Sequence, residues 1–219
     1  MKPGDWKKEK SLPVALLICG ILFDAATAAY PPLSLGAWDG LRMRLFRLAR
    51  VAAVALPLLA LFLSRLAARV GSDSATARRA RRAMIFGAAA MPLVLAAAAL
   101  TRLELRMFLP LPALAVVYAT FSASLLARRA HPAELWGWRL IAASTAAGLV
   151  MGLYAFDAPL LGDFAGAYDG ALRAAIRGVH EASIVSGMTL IFLCQVFGKK
   201  GAPDEDRSHR YRRRQAADA

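Results

Sequence analysis

Two cysteines and three histidines are all that 219 residues hold of the usual metal-binding and redox side chains, and 15 acidic residues stand against 28 basic ones. Cys19 and Cys194 form no CxxC or metal-type spacing, so both are expected to be inert, small apolar side chains inside the bilayer. No phosphate loop, no GxGxxG after a strand, no nucleophile elbow and no HExxH helix is present. Ser183 and Ser186 follow His180 on one helix, but a serine near a histidine without an oxyanion arrangement is a frequent coincidence. The stretch from Gly162 to Gly170 carries Asp163 and Asp169 without the alternating oxygen ligands of a calcium loop. These absences lean against an enzyme, and no catalytic residue is named.

What the chain has in excess is apolar residues. They make up 58% of it, with a mean hydropathy of +0.45, against roughly 45–50% in an ordinary soluble domain. A soluble fold of this size could not hide so much apolar surface, which excludes a cytosolic enzyme and points to a bilayer. The net charge of +13 would suggest nucleic acid in a soluble protein. In a multi-span protein it belongs to the loops that stay in the cytoplasm, so no nucleic-acid partner is expected.

Crossing a hydrocarbon core takes about 20 residues at about 1.5 Å each. Six runs qualify: Leu12 to Tyr30, Val51 to Ser64, Ala83 to Leu100, Met107 to Ala127, Leu140 to Leu161 and Val179 to Gly198. The second is short and reaches full length only if Leu41 to Arg50 continues the same helix, its basic side chains reaching for the headgroups. The expected fold is therefore all-α, a polytopic integral membrane helical bundle of about six transmembrane helices. One domain, residues 1–200, is followed by a basic tail, 201–219, expected to be disordered. Ala26-Thr27-Ala28 after a basic stretch and an apolar run resembles a signal-peptide cleavage pattern. Asp24 and Tyr30 lengthen that run into something that can span, so six spans are kept.

With an even number of spans both termini share a side. Of the 28 basic residues, 20 fall with the termini and the second and fourth connections, and 8 on the opposite side. That excess places both termini in the cytoplasm and the protein in the cell's inner membrane. The clusters from Arg78 to Arg82 and Arg207 to Arg214 read as topogenic, lipid-facing charge.

Helices in lipid associate through small residues that let backbones approach. The fifth span supplies Ser144, Gly148 and Gly152. The sixth supplies Gly178, Ala182 and Ser186, continuing a four-residue repeat that drifts about 40° per step and so cannot be one straight face. Packing within one bundle is the plain reading, and an interface with other membrane subunits or a homo-oligomer the sharper one. Pro57, Pro92, Pro110 and Pro112 fall in spans, where kinks are tolerated if neighbours satisfy the freed carbonyls.

Ionisable groups in hydrocarbon are costly and mark candidate sites. Asp24, about 18 Å along the first span, cannot stay charged alone, and Arg50 is the partner to expect. Arg47 and Arg50 precede the second span, Tyr154 and Asp157 close the fifth, and Arg177, His180 and Glu181 open the sixth. Arg177 and Glu181, four apart, can form an ion pair. All eight gather toward the outer side, and the cytoplasmic half reads as nearly all apolar apart from Gln195. The set is a group of interhelical pairs fixing register, a cavity open to the outer side for an ion, quinone or other small ligand, or a contact with a partner subunit. No cofactor is assigned; haem is admissible only with His180 joined by Met151 or by a second subunit, since His131 and His209 lie in a turn and in the tail. Three functions follow: a non-catalytic subunit or assembly partner of a larger membrane complex, a redox or small-ligand binder, or an ion-coupled transporter, although no inverted repeat supports the last.

Overall fold

The computed structural model of the protein describes residues 5–29, 40–70, 74–155 and 171–197, with the side chains of 5–10, 29, 153–155 and 171–173 set aside. Six long helices account for almost all of it: α1 (Asp5–Ala29), α2 (Gly40–Arg69), α3 (Ala75–Leu100), α4 (Pro110–Leu126), α5 (Pro132–Ala155) and α6 (Ala171–Val196). Short 3₁₀ segments at Leu103–Phe108 and Ala127–Arg129 flank α4. Five segments are long and apolar enough to cross a membrane by themselves, in α1, α2, α3, Leu103–Arg129 and α6; α5, 24 residues long, completes the antiparallel series. Each helix packs on the one before it. We call the end where α1 begins and α6 finishes the terminal face, and the other end the distal face.

Most helices begin earlier than their apolar runs, because local capping chemistry sets a helix start and hydropathy does not. Ser74 caps α3, its hydroxyl oxygen accepting from Ala77 N–H at 3.2 Å, so that Arg78 to Arg82 are helical. His131 Nδ1 accepts from Ala133 N–H at 3.2 Å, and α5 therefore starts at Pro132 rather than Leu140. Pro110 and Pro112 are not kinks inside a span. They open α4, where a missing N–H costs nothing because the first turn has no partner for it. At the other end of α3, Arg42 donates to Ala99 O at 3.2 Å, occupying one of the last carbonyls of that helix.

Pro57 and Pro92 do lie inside α2 and α3. A proline at position 57 leaves the carbonyl of Ala53 without its helical donor. Gly20 of α1 meets that carbonyl so closely that any Cβ there would overlap it. The missing side chain thus lets the α1 backbone close over the group that Pro57 frees.

The core divides along the membrane normal. Toward the terminal face Leu59, Leu63 and Leu66 of α2 pack with Met84 of α3, Trp138 and Ile141 of α5 and Ile191 of α6. Toward the distal face Leu45, Phe46 and Ala49 pack with Leu95, Ala98 and Leu109, and Phe23 meets Phe46 edge to face at 6.0 Å. The α5–α6 contact is also close. A Cβ on Gly187 would stand 2.8 Å from Gly137 O, and one on Gly137 would stand 3.0 Å from Gly187 O, so these two backbones touch only because both residues are glycine.

Candidate functional site

Three groups of polar side chains link the helices among the described residues, beside a surface pair within α6. The first is at the distal end of α1 and α2, where Arg50 Nε donates to Asp24 Oδ1 at 2.6 Å. This is the pair that the depth of Asp24 calls for. Both side chains remain partly exposed, at 30% for Arg50 and 44% for Asp24, so the pair sits at the bundle edge. Arg47, one turn from Arg50, is exposed.

The second group joins α4, α5 and α6 at mid-depth. His180 Nδ1 lies 2.8 Å from Ser144 O, and since a carbonyl can only accept, Nδ1 carries a hydrogen. Ser144 Oγ donates in return to His180 O at 3.0 Å. The first bond fixes the ring and the second ties down its backbone; the ring sits against Gly148, where a Cβ would stand only 3.0 Å from Cε1. On the next face of α5, Thr145 and Thr120 of α4 share a hydrogen bond of 2.9 Å. Nε2 of His180 has no hydrogen-bond partner among the described residues.

Arg177 and Glu181 pair at 2.7 Å on the exposed side of α6, and neither reaches Asp24 or His180. The expected outer cluster of eight is thus not one site in the described residues. It separates into an α1–α2 pair, an α5–α6 histidine lock and a surface pair on one helix. Asp157 lies outside the described residues, as does the side chain of Tyr154. No group of three or more His, Cys, Asp or Glu that could hold a metal occurs among the described residues.

The third group is at the terminal end, where the sequence reads as apolar. Glu134, in the first turn of α5, is fully buried. Its Oε1 accepts from Arg69 Nη2 of α2 and, at 3.1 Å, from Gln195 Nε2 of α6. The same amide nitrogen also donates to Phe62 O at 3.1 Å. Glu134 Oε2, Gln195 Oε1 and Trp138 Nε1 are buried without a hydrogen-bond partner among the described residues. A shallow cleft of about 490 Å³, lined by Arg65, Ala68, Arg69 and Gln195, opens beside them. The apolar-run criterion hides this group, because Glu134 and Trp138 fall before Leu140 and Arg69 falls after Ser64, outside the runs. The run His131-Pro132-Ala133-Glu134 was the available signal: a proline at the first helical position with an acid in the first turn marks a helix start.

The small residues also divide. Ser144 and Gly148 face α6, and with Gly137 and Gly187 they form packing inside the bundle. Ala174, Gly178, Ala182 and Ser186 are all exposed on α6, and a Cβ on Gly178 would meet nothing within 4 Å. Gly178 and Ala182 are two residues either side of His180, about 160° around the helix from it. The histidine therefore faces inward and the small-residue stripe outward.

In comparisons with protein-family models, curated proteins and solved structures, nothing matches this chain.

Proposed function

We propose that this integral membrane protein is a non-catalytic subunit that assembles with other membrane-embedded chains, or with copies of itself, through the outward face of α6. We also propose that it resides in a cell's inner membrane with both termini cytoplasmic, on the strength of its uneven basic residues. The observation that carries the assembly reading is Gly178, open to its surroundings and continued by Ala174, Ala182 and Ser186 at four-residue spacing. Lipid gives no reason to present glycine and serine rather than leucine outward. A second helix does, because small residues let two backbones reach van der Waals contact where no hydrophobic drive exists. The stripe rotates by about 120° over its length, so the partner crosses α6 at an angle rather than running alongside it.

The test is purification in mild detergent with native mass spectrometry, together with crosslinking in cells. The wild-type chain is expected in an assembly, and Gly178→Leu with Ala182→Leu is expected to release it while leaving thermal unfolding unchanged. A lone monomer with no crosslinked neighbour ends the reading.

A second reading rests on His180. An imidazole held by Nδ1 on a backbone carbonyl, with Nε2 left over, is how proteins orient a histidine toward a metal or haem. A Soret band or an extracted quinone in the same preparation would favour this small-ligand role. Because His180 and the outward stripe lie on opposite sides of α6, dimerisation through the stripe does not bring two His180 rings together.

A further inference from the structure

We infer that the groove between α4 and α5 is a binding site for one anionic phospholipid, with its acyl chain in an apolar trough and its phosphate between Arg128 and Arg139. This rests on the membrane-spanning architecture and is independent of the assembly through α6.

The groove has a volume of about 610 Å³. Its α4 wall is large and outward: Leu114, Tyr118 and Phe121 are 54%, 43% and 59% exposed. Its α5 floor is small, made by Ala142, Ala143 and Ala146. Bulky residues on one helix facing alanines on the next leave a channel that the protein does not fill. Along its length the lining is apolar, and only its terminal-face end is charged.

That end holds both arginines, and their level follows from the helix register. Thr120 and Thr145 meet at 2.9 Å, and six residues from each toward the terminal face are Leu126 and Arg139. Arg128 is two residues past Leu126, so the two guanidinium-bearing positions share one depth. Neither has an acidic partner among the described residues, unlike Arg50, Arg69 and Arg177. Arg139 instead lies 5.0 Å from the ring of Trp136, an exposed indole of the kind that anchors at the headgroup level. From Arg128 to Leu114 the groove runs about 20 Å, the depth of one leaflet's hydrocarbon, about 15 Å, with part of the headgroup layer. Two cations of matched depth, without an acidic partner among the described residues, above a leaflet-length apolar trough complement a lipid phosphate and its chain.

The full-length protein, delipidated in mild detergent, is titrated with phosphatidylglycerol and with phosphatidylcholine of the same acyl chains and read by native mass spectrometry. Phosphatidylglycerol is expected to bind at least tenfold more tightly. Arg128→Gln with Arg139→Gln, both on the surface and safe for folding, is expected to abolish that preference. Arg129→Gln, outside the groove, is expected to keep it. Ala143→Phe keeps both cations but fills the trough, and is expected to lose the lipid. Equal binding of the two lipids overturns the site, as does an undiminished preference in the double arginine variant. Undiminished binding in Ala143→Phe shows surface charge alone and overturns it too, and so does a photocrosslinker at Leu114 that captures a protein chain instead of lipid.

Discussion

At the residue scale the bundle depends on how few acids it buries and how each is met. Glu134 is the extreme case: fully buried, with Arg69 and Gln195 both on one oxygen. Removing one partner of a buried ion pair leaves the other charge uncompensated, which costs about 3–5 kcal/mol. Arg69 is itself half-exposed, so Arg69→Ala is expected to cost less than a fully buried pair, about 1–3 kcal/mol in detergent unfolding. The double variant Arg69→Ala/Glu134→Gln removes the charge as well and should recover part of the loss, since neighbouring substitutions in one network do not add. If the double variant is as unstable as the sum of the two single variants, the pair is not acting as a unit. Gly20 makes a sharper demand, because no side chain fits between α1 and the Ala53 carbonyl. Gly20→Ala is expected to detach α1 from α2, read as protease sensitivity of α1 with α2 to α6 still folded. The Asp24–Arg50 pair could be named from sequence because a lone carboxylate at that depth has so few alternatives. Glu134 could not be, since its burial depends on helices from three distant parts of the chain arriving around it.

At the scale of the helices, the lesson lies in α6, where glycine serves two opposite ends. Gly187 is closed against Gly137, and Gly178 is open. Gly187→Ala is expected to overpack the α5–α6 contact and cost about 1–3 kcal/mol. Gly178→Ala meets no obstacle and should be neutral or stabilise the isolated chain by up to about 0.5–1 kcal/mol, through lower backbone entropy in the unfolded state. Parallel thermal melts of the two variants decide the matter, and the same sign for both would contradict the assignment of faces. The existence and number of the helices were legible in the sequence, because a run of about 20 apolar residues has few other fates. Their starts were not, since Ser74 and His131 set them through single hydrogen bonds. Nor were the faces, because a four-residue repeat reads alike whether its glycines touch a helix or lipid.

Seen whole, the molecule is an antiparallel series in which each helix leans on its predecessor, with the second helix at the centre. Six crossings put Val70, Ser74 and the Ala130–His131 connection on one face and Thr101–Arg102 on the other. Cysteines introduced at Ser74 and Ala130, in a background lacking Cys19 and Cys194, are therefore expected to react with an impermeant maleimide from the same side of sealed vesicles. One at Thr101 is expected to react only from the other side, and labelling of all three from one side would break the six-span topology. Sequential packing also means that nearly every contact can form as the helices enter the membrane one after another. Gln195 is different. It lies in the last turn of α6 and reaches back to Phe62 of α2 and to Glu134 of α5, so one carboxylate waits for a residue made after the rest of the described helices. The centre of the bundle therefore closes only with the last turn of α6, and a chain that stalls before Gln195 presents the membrane with a partly satisfied acid, a chemical mark separating copies that lack that turn from copies that have it.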